Sequence, residues 1–177
     1  MPKDDRSNKS LSSLFWSHAG WTIRHDVPAP RIYARDLKRD KIVNTISRLY
    51  IPIFLSGIIL PGTIGLIWFG DIWGFARGAL WGGFARVFVG NNLIWSVNSI
   101  CHKFGYRTFQ TKDQSRNNVL ISLFTFGEGF HNNHHAFPQS AQFGRTRWES
   151  ILDSGYWVVR LLKKLGVAKN VRNLDEV

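Results

Sequence analysis

A single cysteine, Cys101, in 177 residues excludes an intramolecular disulfide framework and suits a reducing compartment. Acidic residues are few: Asp+Glu number 12 against 23 Lys+Arg, a formal net charge of +11. Such an imbalance suits nucleic acid, an anionic membrane surface or an acidic protein, and composition alone does not choose among them. Residues 1–15, "MPKDDRSNKSLSSLF", contain no apolar stretch ahead of a small-residue cleavage site, so no secretory signal is read there. Internal repeats and low-complexity tracts are missing as well. Aromatic side chains are plentiful. Eight Trp and thirteen Phe in a chain of one-domain length imply a large apolar surface, which argues against a basic nucleic-acid-binding arm.

The apolar residues are concentrated in two runs. From Leu49 to Gly70, "LYIPIFLSGIILPGTIGLIWFG" carries no charge, and its length meets the roughly 20 residues that a bilayer core requires. Pro52, Pro61, Gly57, Gly62 and Gly65 would weaken a soluble helix but are common in membrane helices. The alternative is a buried core helix of a soluble protein. After "GDIWGFA", a second run extends from Gly78 to Cys101 with Arg86 its one charge, and Ala79, Gly82, Gly83 and Gly90 are small enough to let two helices approach closely. The expected fold is therefore an all-α membrane protein. A cytoplasmic segment, 1–48, leads to a transmembrane hairpin, 49–101, with spans at about 49–70 and 78–101; a cytoplasmic region, 102–177, follows. Arg24, Arg31, Arg35, Lys38, Arg39, Lys41 and Arg48 precede the first span, and Lys103, Arg107, Lys112 and Arg116 follow the second. Cations on both flanks place both termini in the cytoplasm and the turn outside.

Three of the six histidines stand in "GEGFHNNHHAFP", residues 127–138. On a helix His131, His134 and His135 project within one turn, and neutral imidazoles ligate iron, copper, zinc or nickel. Gly127 and Gly129 permit a sharp entry into the cluster, and Glu128 is the expected acceptor that orients an imidazole N–H. No Glu follows the first His, so this is not the HExxH pattern of zinc proteases. The plain alternative is a polar turn. In "WSVNSICH", Trp95, Asn98 and His102 share one face at the expected end of the second span, where apolar residues would be ordinary. Polar groups there are functional by default, with helix capping the alternative. Together the two stretches point to a metal site on one side of the membrane.

"WSVNSICHKFGYR", followed by "FGEGFHNNHHAFP" and preceded by "LFWSHAGW", closely resembles the C-terminal half of membrane-bound fatty acid desaturases of the Δ9 type, the bacterial acyl-CoA or acyl-lipid members most of all. The resemblance covers about residues 15–171. It implies a non-haem di-iron centre on the cytoplasmic side of a four-span bundle, which uses O2 to remove two hydrogens from an acyl chain. On that resemblance His131, His134 and His135 form the third histidine box, His102 is the ligand after the last span, and Asn98 is an outer ligand acting through water. Trp95 shapes the acyl tunnel, and Arg24 contacts a substrate phosphate or serves as a solvated flanking charge. No HPGG haem-binding stretch is present, so electrons are expected from a separate ferredoxin or cytochrome b5, steered by the basic face.

The family's two earlier boxes, HxxxxH and HxxHH, have no match, since upstream only His18 and His25 occur. Two irons wanting five or six donors each are not satisfied by four imidazoles and one amide. The expectation is a truncated or split desaturase, inactive alone, whose missing boxes lie on a separate N-terminal half. A catalytically dead two-span remnant and a related di-iron acyl hydroxylase are the alternatives. Residues 118–127 are too short to span and are expected at the interface. Residues 148–165 are read as one amphipathic helix on an anionic membrane surface, or else as a soluble core helix.

Overall fold

The structure is a computed structural model that describes residues 11–24 and 30–173, with the backbone alone at 11, 12, 24, 30 and 31. The described residues are mostly helical and contain no strand. The α-helices are α1 (Leu11–Phe15), α2 (Trp21–Arg24), α3 (Pro30–Tyr33), α4 (Arg35–Arg39), α5 (Lys41–Arg48), α6 (Tyr50–Phe69), α7 (Ile72–Gly78), α8 (Arg86–Ser99), α9 (Val119–Phe124), α10 (His131–Ala136), α11 (Arg147–Leu152) and α12 (Ser154–Lys164). Two compact units result: His25–Asn91 forms one, and Met1–Arg24 with Asn92–Val177 the other.

In the first unit α6 is the one helix among the described residues long and apolar enough to cross a membrane. It ends at Gly70, whose φ of 75° is the left-handed conformation that closes a helix, and Asp71 starts α7 by accepting from Gly74 N at 2.6 Å. The chain then doubles back. The expected second run is helical but not uniform: α7, a π-helical stretch Ala79–Ala85, α8 and a 3-10 turn Ile100–His102 follow one another. Within the unit, α6 lies backbone to backbone on α7 and the π stretch. A Cβ on Gly65 would sit 2.1 Å from Gly74 O, and one on Gly78 2.1 Å from Pro61 O. Gly82 and Gly83 likewise meet Pro61 and Ile58, as their size led one to expect, whereas Gly90 faces open space and makes no close approach.

Arg86, the lone cation of the second run, has a local explanation. Pro61 has no N–H, so the Gly57 carbonyl four residues earlier lacks its helical donor. Arg86 Nη2 donates to that carbonyl at 3.1 Å, and its Nε donates to Gly82 O at 2.8 Å. A Cβ at position 57 would lie 2.8 Å from the guanidinium, so glycine leaves room for it.

The second unit has a small apolar nucleus of Val97, Cys101 and Ile121, with Phe130 fully buried. Most of its interior is polar: Ser99, Ser115, Asn117, Ser122, Asn132, Asn133, Glu149 and Asp153 are all sealed from solvent. The reason is irregular backbone. Residues 103–118 and 137–146 run without long helices, so their N–H and C=O groups take side-chain partners. The single helix expected over 148–165 is broken at Asp153, which accepts from Phe143 N and Gly144 N at 2.7 and 2.8 Å and caps α12 at Tyr156 N. The expected stripe is broken with it, because Tyr156 is buried while Trp148 and Ile151 are exposed.

Candidate metal centre

The two elements that carry the clustered histidines belong to the second unit. His102 ends the 3-10 turn that continues α8, and it is buried. His131, His134 and His135 lie on α10, a six-residue helix. The Nε2 atoms of His102 and His131 are 3.1 Å apart, and those of His135 and His131 are 2.9 Å apart. One ligand nitrogen from each of His102, His131 and His135 falls within 4.8 Å of the others.

His134 stands aside from this point. About the helix axis, His135 lies about 40° to one side of His131 and His134 about 60° to the other, at 100° per residue. The ring of His134 packs on Phe143 at 4.8 Å, and its Nδ1 is buried with no hydrogen-bond partner.

Three observations test the fit to a cation. Burial first, then the neighbouring imidazoles of His135, His102 and His134, push His131 down to about 3, so it is neutral at physiological pH and keeps a lone pair. Burial and His135 also lower His134. Asp113 Oδ2 lies 2.5 Å from His135 Nδ1, which fixes the neutral tautomer and turns the bare Nε2 inward. His131 Nε2 thus faces two imidazole nitrogens with at most one proton to give. A cation resolves that conflict. Metal–nitrogen bonds of about 2.1 Å at right angles put ligand nitrogens about 3.0 Å apart, close to the spacings seen here. The residues fit a metal held by nitrogen donors.

Asp113 is itself well held. Burial would raise its carboxyl, but hydrogen bonds from Ser115 and Thr111 and the His135 imidazole hold it well below the usual carboxylate range. This carboxylate takes the orienting role that the sequence suggested for Glu128. Glu128 is an exposed residue of the preceding turn. Asn98 is half-buried one turn before His102, and Trp95 lies a further turn back with its ring edge-on to His18 at 5.9 Å. His18 is no member of the cluster: its ring nitrogens meet Ser99 Oγ at 2.8 Å and Asn92 Oδ1 at 3.1 Å. The Arg24 side chain lies outside the described residues.

Sequence reasoning missed Asp113 and the asparagines between the histidines. Asn132 Oδ1 accepts from Thr108 N and Phe109 N, each at 2.8 Å, and Asn133 Nδ2 donates to Phe143 O at 2.8 Å. The available signal was "TKDQS", an Asp-x-Ser turn closed by Ser115 N on Asp113 Oδ1 at 2.9 Å, but no spacing ties it to His135.

The family model for fatty acid desaturase matches residues 2–152. The chain is 42% identical over 163 residues to the hex-5-enoyl-(acyl-carrier protein) acetylenase of Moorena producens, covering 92% of this chain and 50% of that protein. It is 37% identical over 178 residues to the sn-1 stearoyl-lipid 9-desaturase of Anabaena variabilis, covering 98% and 60%. To the icosanoyl-CoA 5-desaturase of Limnanthes douglasii it is 36% identical over 175 residues, covering 95% and 46%. The chain thus spans about half the length of the curated relatives it matches. With its histidine cluster and this breadth of matching, the chain belongs to the fatty acid desaturase family.

Proposed function

We propose that this chain supplies part of the non-haem di-iron centre of an O2-dependent fatty acid desaturase of the Δ9 type. The observation that carries the reading is the convergence of His102, His131 and His135 on one point, with His134 outside that group and its ring against Phe143. Three imidazoles then belong to one iron and His134 to the other. Asn98 contributes through water. Further donors come from segments bearing HxxxxH and a second HxxHH, neither of which is matched upstream of His102 in these 177 residues. Iron bound there supplies the activation of O2. In the balanced reaction, one –CH2–CH2– unit, O2, two electrons and two protons give one –CH=CH– and two waters.

The chain's own residues hold and orient. Asp113 keeps the His135 proton on Nδ1, and burial keeps His131 neutral and shielded from bulk water. Trp95 lines the acyl path and Arg24 meets a phosphate of the substrate carrier. The substrate class is an acyl lipid or acyl-CoA, since relatives bear both kinds of name. Electrons arrive from a separate acidic ferredoxin or cytochrome b5, steered by the basic charge of the chain. Two spans form a membrane hairpin, half of a four-span bundle, with the histidines and both termini cytoplasmic. The cations flanking both apolar runs support that sidedness.

The test is a fusion. HxxxxH and HxxHH segments of a close relative, joined ahead of Phe15 and expressed in cells, restore new double bonds in the acyl chains. His131→Ala or His134→Ala in the fusion abolishes them. Unchanged double-bond content in those variants sinks the proposal.

A further inference from the structure

Residues 116–118 join the two ligand-bearing elements. Arg116 N donates to Cys101 O at 2.7 Å, beside His102. Asn117 pairs with Tyr106 in both directions, N to O at 2.7 Å and O from N at 3.0 Å. Asn118 N donates to Gly129 O at 2.8 Å, two residues before His131. Three consecutive residues therefore clamp the His102 end to the His131 end.

The side chain of Asn117 completes the clamp, and it is fully buried. Its Oδ1 accepts from Asn132 N at 3.0 Å and Asn133 N at 3.2 Å, the second and third residues of α10. The first N–H groups of a helix have no partner inside it, and Phe130 at the N-cap has no side-chain oxygen to offer. Asn117 supplies that cap from 15 residues away. Its Nδ2 donates to Asn133 Oδ1 at 2.8 Å and Thr108 Oγ1 at 3.0 Å. Both lone-pair sites and both protons of the amide are used. A buried network satisfied this fully holds one arrangement.

We propose that Asn117 is the positioning residue that sets His102 against His131 and so fixes the shape of the metal site. The proposal rests on reading the cluster as a metal centre. A helix of six residues without a local cap has little of its own to fix its orientation. Ligand nitrogens need placement within about 0.5 Å, so a tilt of α10 is felt directly at the metal.

The experiment titrates Co(II) into the full 177-residue chain in lipid nanodiscs and reads the dissociation constant and the d–d absorption band. Asn117→Leu keeps most of the volume and removes every side-chain hydrogen bond. It is expected to weaken Co(II) by about tenfold or more and to change the band at saturating metal, with the near-UV circular dichroism of the tryptophans kept. Asn117→Asp retains the acceptor for both α10 amides but loses both donors and sets a carboxylate oxygen against Asn133 Oδ1, so it is expected to fall between wild type and the Leu variant in affinity, with a shifted band. Where the Leu variant fails to fold, the Asp variant decides: weakened affinity with a shifted band supports the proposal, and wild-type affinity and band overturn it. A folded Leu variant with wild-type affinity and band also overturns it. A wild-type chain with no Co(II) band overturns the metal reading, and this proposal with it.

Discussion

The carboxylate of Asp113 is bound to the far side of the His135 ring, Oδ2 to Nδ1 at 2.5 Å, while Nε2 of the same ring faces His131 at 2.9 Å. One side chain thereby sets both the tautomer and the aim of a metal ligand. Removing it by Asp113→Ala should weaken Zn(II) or Co(II) binding by about 10–100-fold, and Asp113→Asn, which still accepts from Nδ1, should fall between. Competition titration against a chromophoric chelator measures this. Equal affinity in wild type and Ala variant would remove Asp113 from the site.

Arg86 and Pro61 answer each other through Gly57. Arg86→Leu should destabilise the helix packing of the first unit by about 1–3 kcal/mol, because it leaves the Gly57 carbonyl without a donor. In a Pro61→Ala background the helix regains its own N–H, and the same substitution should cost much less. A double-mutant cycle on SDS unfolding in bicelles reads the difference. Additive effects would mean that Arg86 stands there for another reason.

Gly65 and Gly90 should behave oppositely despite similar surroundings in sequence. A methyl at position 65 meets the Gly74 carbonyl, a backbone atom that cannot swing aside. Gly65→Ala is expected to cost about 1–3 kcal/mol or to separate the helices, while Gly90→Ala, with nothing within 4 Å, should be neutral or stabilising. The same unfolding assay ranks them.

Sidedness is open to labelling. Cys101 is fully buried and gives little background. Asp71→Cys should react with an impermeant maleimide on intact cells, and Lys112→Cys should react only after lysis. The reverse pattern would invert the proposed orientation.

Much of this was legible in the chain. The uncharged run from Leu49 to Gly70 announces α6 because length and hydropathy are local properties. The i, i+4 spacing of His131 and His135 announces their convergence for the same reason. The departures come from long-range partners. Asp113 and Asn117 meet α10 from 22 and 15 residues away, a separation that no helical or strand period encodes. Asp153 broke the expected C-terminal helix because its carboxylate serves the 143–144 backbone as well as α12, so the periodic apolar pattern yielded to a cap. His134 left the shared point because i+3 and i+4 neighbours lie on opposite sides of their reference residue.

The central claim is that His102, His131 and His135 hold one metal between them. X-ray absorption at the metal edge, on the chain loaded with a single equivalent of Zn(II) or Fe(II), tests it most directly. The expected spectrum shows three imidazole scatterers at about 2.0–2.1 Å and no sulfur, with His131→Ala losing the metal. A spectrum of oxygen donors alone, left unchanged by His131→Ala, would contradict the account.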